Sequence, residues 1–139
     1  MHKISSAALY TVINRESRTN GAHFTIRSIK TGKDFTYKIT RSEFKEKWYT
    51  QVHVEIGYLE FVRLGTYSDG KITNKGNVVE TPAALGIAFI LGKVESEKFE
   101  LLDTLCDIFH LGKCLACGKT LTDSKSIEIG LGPKCRNKI

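Results

Sequence analysis

Apolar and polar residues alternate with a period of two over much of the chain, and strands are the first elements they predict. Residues 24–28 and 35–40 flank a Lys30-Thr-Gly-Lys33 turn, a hairpin signal. Phe35, Tyr37 and Ile39 fall on one face of the second strand, toward a core, while Thr36, Lys38 and Thr40 fall on the other. Arg27 and Lys38 then lie on an open face. Because the alternation separates rings from charges, a half-solvated sheet is the favoured reading of that face over a nucleic-acid platform. Residues 52–56 and 58–64 predict two more strands, hinged at Gly57, and Asp69-Gly70 is a turn after which 71–73 can pair back. Residues 41–47 read as a polar linker or helical turn, and 75–79 as loop.

A period near 3.6 appears in three places. Leu9, Val12 and Ile13 follow Ser5 and Ser6, so a short helix is expected within 5–17, ended by Asn20-Gly21. Thr81-Pro82 pairs a cap residue with proline at the first helical position and opens a helix over 83–91 that stops at Gly92. That helix is apolar nearly all round and should be buried against the sheet. Ser96 then caps a second helix, from 97 to about 109, with Leu102, Leu105, Cys106 and Phe109 on one stripe. The elements add up to an α+β fold, a small antiparallel sheet packed against helices over residues 1–109. A treble-clef-like zinc finger over 110–139 follows it.

The finger is read from ligand spacing. Three residues separate His110 from Cys114, two separate Cys114 from Cys117, and seventeen separate Cys117 from Cys135. Three thiolates and an imidazole suit one Zn²⁺ in a tetrahedral shell. A C-x₂-C turn brings two sulfurs to one ion, and Gly118 gives the backbone the freedom that turn needs. Pro133 predicts a terminal helix start that puts Cys135 in its first turn. Thr122, Asp123 and Ser126 between them suit caps or bonds to the ligands. Cys106, four residues before His110, competes as fourth ligand, but as part of the apolar stripe it reads as a buried free thiol. Four ligands close the shell and make the zinc structural. With neither His110 nor Cys106 bound, a three-ligand site with water results. His2, His23 and His53 have no partner at ligand spacing.

The tail resembles a module of small bacteriophage and prophage proteins of unknown function, H-x-G-x-C-x-x-C-G-[RK]-x-L-T-x-x-x-S-I-x-x-G-[IL]-G-P-x-C. Its positions here are His110, Gly112, Cys114, Cys117, Gly118, Lys119, Leu121, Thr122, Ser126, Ile127, Gly130, Gly132, Pro133 and Cys135. Residues 23–37 are similar to a stretch that opens such proteins. The resemblance implies zinc and a phage setting and supplies no activity. Ser124 stands where many of these proteins have proline.

Composition narrows the function classes. The 139 residues, 41% hydrophobic and 26% charged with two prolines, fit one folded domain with a small metal module. No apolar run nears the roughly 18 residues that span a bilayer, and no signal-peptide core opens the chain. A cytoplasmic location is expected, the host-cell cytoplasm for a phage protein, with the cysteines reduced. The formal charge is +6. From residue 113 onward Lys113, Lys119, Lys125, Lys134, Arg136 and Lys138 face only Asp123 and Glu128, forming a cationic lobe. Phosphate-cradling loops, H-E-x-x-H, paired carboxylates and the zinc-deaminase pattern are absent, so no enzyme, small-molecule substrate or membrane is expected. The favoured partner is nucleic acid, held by Lys113, Lys119, Lys134, Arg136 and Lys138 with Arg27 and Lys38. The alternative is a host protein whose activity the chain modulates.

Overall fold

The computed structural model describes the backbone of residues 1–14 and 19–136 and the side chains of 1–14 and 23–136. Thirteen elements follow in chain order among these residues. They are β1 (His2–Ile4), α1 (Ala7–Asn14), β2 (Thr19–Ser28), β3 (Asp34–Phe44), β4 (Lys47–Gly57), β5 (Glu60–Ser68), β6 (Lys71–Asn74), β7 (Asn77–Val78), α2 (Pro82–Glu95), α3 (Phe99–Leu105), β8 (Cys106–His110), α4 (Ser124–Ile129) and α5 (Pro133–Arg136). The strands form one eight-stranded antiparallel sheet in the order β1-β8-β2-β3-β4-β5-β6-β7. No helix among the described residues is long and apolar enough to cross a membrane.

From β2 to β7 the sheet is a meander, and most of its turns are tight. Lys45 and Glu46 have φ of 50° and 65°, Asp69 and Gly70 49° and 77°, Lys75 and Gly76 53° and 81°. Left-handed pairs of this kind give a two-residue reversal whose twist matches the flanking strands. Asp-Gly advertises that conformation and Lys-Glu does not. Residues 41–47 are therefore the end of β3, a hairpin turn and the start of β4, instead of a linker, and 75–79 contain the short strand β7. Of the first expected helix, Ala7–Asn14 is helical, residues 15–17 lie outside the described residues, and Asn20-Gly21 fall within β2.

Helix α2 begins as expected, with the Thr81 side chain accepting from Ala84 N–H. It continues past Gly92 to Glu95, and Ser96 ends it instead of starting the next helix. Ala84, Ile87, Leu91 and Val94 pack on the inner face of the sheet among Tyr37, Ile39, Val52 and Ile72. Tyr37 Oη donates to Ala83 O at 2.8 Å inside this core, and burial pushes its phenol well above its ordinary pKa. Leu85 and Phe89 stay exposed, so the helix is not buried all round.

The largest departure is the stretch expected as one helix to residue 109. It splits into α3 and β8, with the backbone extended at Cys106 (φ −150°, ψ 158°). Residues 106–110 alternate as well as they match helical spacing, and β2 offers an edge whose backbone groups need partners. β8 fills it, with Phe24 opposite His110, Ile26 opposite Ile108 and Ser28 opposite Cys106. Cys106, Ile108 and His110 face inward, while Phe109 faces the other way.

Gly65 crosses β6 closely: a Cβ there would stand 2.3 Å from Thr73 O, at φ 153°. Gly65→Ala is expected to destabilise the protein by about 1–3 kcal/mol, the usual cost of overpacking a packed site. Gly70→Ala, with nothing within 4 Å of the new Cβ, should cost less. Urea unfolding of both variants measures the difference.

Candidate functional site

The polypeptide after β8 is organised around three sulfurs. Lys113 and Thr120 form an isolated bridge, Cys114 N–H donates to Lys119 O at 2.8 Å, and Gly118 N–H returns to Cys114 O at 2.9 Å. This miniature hairpin holds Cys114 and Cys117 at its tip. Asp123 then caps α4, its Oδ2 accepting from Ser126 N–H at 3.0 Å. The serine's bonds hold the Asp123 carboxyl below the usual carboxylate range. Gly130 ends α4 with φ 85°. A Cβ there would meet Leu115, His110 and Ile4 at 3.3–3.5 Å, so the tail packs directly on the β1–β8 edge. Pro133 opens α5 and delivers Cys135, as expected from the sequence.

The ligand atoms of Cys114, Cys117 and Cys135 all lie within 4.8 Å of one another. Cys114 and Cys135 are buried and Cys117 half-buried. Burial alone would raise the Cys114 thiol, but the N–H groups of Gly132, Cys117 and Ala116 outweigh it and hold the thiol below its ordinary value. Gly132 N–H donates to its sulfur at 3.3 Å. Backbone donors on a sulfur favour the thiolate, which is the form that binds metal. The donor set fits one soft or borderline divalent ion, and Zn²⁺ among them.

His110 does not join this group. Its ring is fully buried and stacks on His2 with centroids 5.0 Å apart. Gly112 N–H donates to Nδ1 at 3.0 Å, so the proton sits on Nε2, which donates to Ile127 O at 2.5 Å. Burial lowers its pKa and keeps the ring neutral, with the Ile127 carbonyl opposing. The imidazole ties β8, the knuckle and α4 together. Cys106 is apart from the cluster too: its thiol donates to Leu102 O at 3.4 Å, and burial pushes its pKa up to about 11.

The basic residues divide into three sets. Lys119 and Lys134 line a cleft of about 420 Å³ shared by all three cysteines, Thr122, Asp123 and Ser126. Arg136 turns inward, its Nη1 donating to Ser126 Oγ at 3.1 Å and Leu131 O at 3.3 Å, and so braces α5 on α4. Lys138 lies outside the described residues. Lys113 is close enough to His23, on the open face of the sheet, for its charge to lower that pKa after burial and Lys38.

That open face carries rings as well as charges, contrary to the separation expected from β3 alone. Lys38 Nζ stands 5.4 Å from the Phe61 ring centroid and His23 stacks on the same ring at 4.9 Å. Arg27 lies over Phe109 at 5.3 Å and pairs with Asp34 at 3.3 Å. Phe61 and Phe109 come from β5 and β8. Register places them on this face, and the alternation within one strand could not reveal it.

Chelating zinc from zinc-loaded protein is expected to raise amide hydrogen exchange across residues 112–136 while β3 and β4 stay protected, because metal binding at a three-cysteine cluster is coupled to folding. Cys117→Ser should do the same, and unchanged protection of the tail in that variant would remove the metal from the fold. Comparison with known proteins matches residues 108–139 to a family of unknown function, DUF6011. No curated protein and no solved structure matches the chain. The match covers the metal module and the end of β8 and leaves the rest of the sheet outside it.

Proposed function

We propose that this is a non-catalytic zinc-binding protein of phage type that binds single-stranded nucleic acid on the open face of its sheet, the zinc holding the tail against the sheet edge. The observation that carries the reading is the shared placement of rings and cations, with Lys38 and His23 both against the Phe61 ring and Arg27 over Phe109. Bases stack on aromatic faces whatever their identity, and neighbouring cations take the phosphates. His53 Nδ1, on the same face, is a buried side-chain atom without a hydrogen-bond partner, a group that a bound ligand would satisfy. Lys113 extends the cationic surface from the sheet toward the tail. Lys119 and Lys134 supply further charge at the cleft, while Arg136 serves the fold.

A second reading follows from an apolar groove between the helices and the sheet. Phe89 and Leu105 line it with Ile26, Phe35 and Ile90, and its volume is about 380 Å³. Exposed apolar surface of this kind favours a protein partner, and with it modulation of a host enzyme or defence system.

Zinc-loaded protein should bind short single-stranded DNA or RNA more tightly than duplex, with a log–log salt slope of magnitude about 3, at about 0.7 per phosphate neutralised on a single strand. Phe61→Ala is expected to cost about 1–3 kcal/mol, roughly 5- to 150-fold in affinity. Lys38→Ala should weaken binding and flatten the slope. Fluorescence anisotropy across a salt series measures all three. Equal and negligible binding by wild type and Phe61→Ala at low salt would sink this reading in favour of the groove.

A further inference from the structure

Three sulfurs and a cleft meet at the candidate metal centre. Among the described residues, Cys114, Cys117 and Cys135 are the one group of His, Cys, Asp or Glu with metal-binding proximity. Each nearby candidate for a fourth ligand has its own partner. His110 has both ring nitrogens in hydrogen bonds, to Gly112 N–H and Ile127 O, inside a fully buried site. Turning either nitrogen to a metal would leave a partly buried backbone group without its partner. Asp123 caps α4 through Ser126 N–H. Cys106 belongs to the core and bonds Leu102 O.

The cysteines do not sit in a sealed interior either. All three line the cleft of about 420 Å³, within the size range of small-ligand sites. Lys119 and Lys134 stand on its wall. Three thiolates around a divalent ion leave one net negative charge, and two ammonium groups offset it and admit a further electron-rich donor.

We infer that the metal held by Cys114, Cys117 and Cys135 keeps its fourth coordination position for an exchangeable monodentate donor, water replaced by a small thiol or imidazole entering through the cleft, while His110 is a positioning residue that fastens β8 to the tail. The inference rests on the metal-binding reading above and is independent of nucleic-acid binding. It makes the centre a ligand-exchange site as well as a staple. Open sites with three protein ligands are the arrangement in which zinc keeps a replaceable partner.

The test uses the full chain in two metal forms. Cobalt(II) in place of zinc gives visible bands that report its donor set, and titration with imidazole and with 2-mercaptoethanol should shift them saturably at constant metal stoichiometry. Spin-active cadmium with nitrogen-labelled histidine should show no cadmium–nitrogen coupling at His110. A coupling at that ring, or bands unmoved by saturating concentrations of both donors, overturns the inference. A chain that takes up neither cobalt nor cadmium fails at the earlier step, and the metal reading falls with it. His110→Gln provides a check by mutation. As a positioning residue it should loosen the tail in hydrogen exchange and leave the cobalt bands in place, whereas loss of a ligand would change them.

Discussion

Strand β8 enters the sheet between β1 and β2, and the pairing of Phe24 with His110 joins residues 86 positions apart. Everything after Leu105 depends on that pairing. It turns Cys106, Ile108 and His110 toward the core, and it sets Phe109 beside Thr25 on the open face. It also brings the chain out at Gly112 where the knuckle can rest on β1. A β8 shifted by one residue would expose Ile108 and His110 and bury Asp107 and Phe109. The hydrophobic pattern fixes the register, and the register fixes where the sulfurs lie.

Two fasteners then hold the tail, and they act on different parts. The imidazole of His110 joins backbone groups of Gly112 and Ile127, stitching the strand to the knuckle and to α4. The sulfur cluster joins the knuckle to α5. Arg136, bonded to Ser126 Oγ and Leu131 O, adds a brace between α5 and α4. Because the buried ring already satisfies two polar backbone groups, its role is explained without a metal. The cysteines have no comparable explanation as packing alone, since three thiols at one point of a cleft are drawn together by an ion far better than by each other.

The sequence made the knuckle legible because its information is local: C-x₂-C, a glycine and a Pro-Lys-Cys helix start act within a few residues. The hairpin through Gly32, the Asp69-Gly70 turn and the Thr81-Pro82 helix start were readable for the same reason. The antiparallel sheet packed on helices follows from them. What stayed hidden was non-local. The alternation of 106–110 is also compatible with a helical stripe, and only the open edge of β2 decides between the two. The Lys45-Glu46 turn lacks glycine and is imposed by the strands on either side. The mixing of rings and cations on one face needs the registers of β5 and β8. The separation of His110 from the sulfurs depends on the backbone partners that its ring finds in α4.

The late position of β8 in the chain has a bearing on biosynthesis. Strands β2 to β7 form a meander of neighbours joined by short turns, contacts that a growing polypeptide can make as it emerges. Until residues 106–110 follow, β2 shows an unpaired row of backbone donors and acceptors to the cell. β1, although made before β2, has no partner at all until then, since β8 is its neighbour in the sheet. An uncovered edge of this kind invites pairing with other chains. The nascent protein thus passes through a window of adhesiveness that closes only when β8 pairs with β2 and β1.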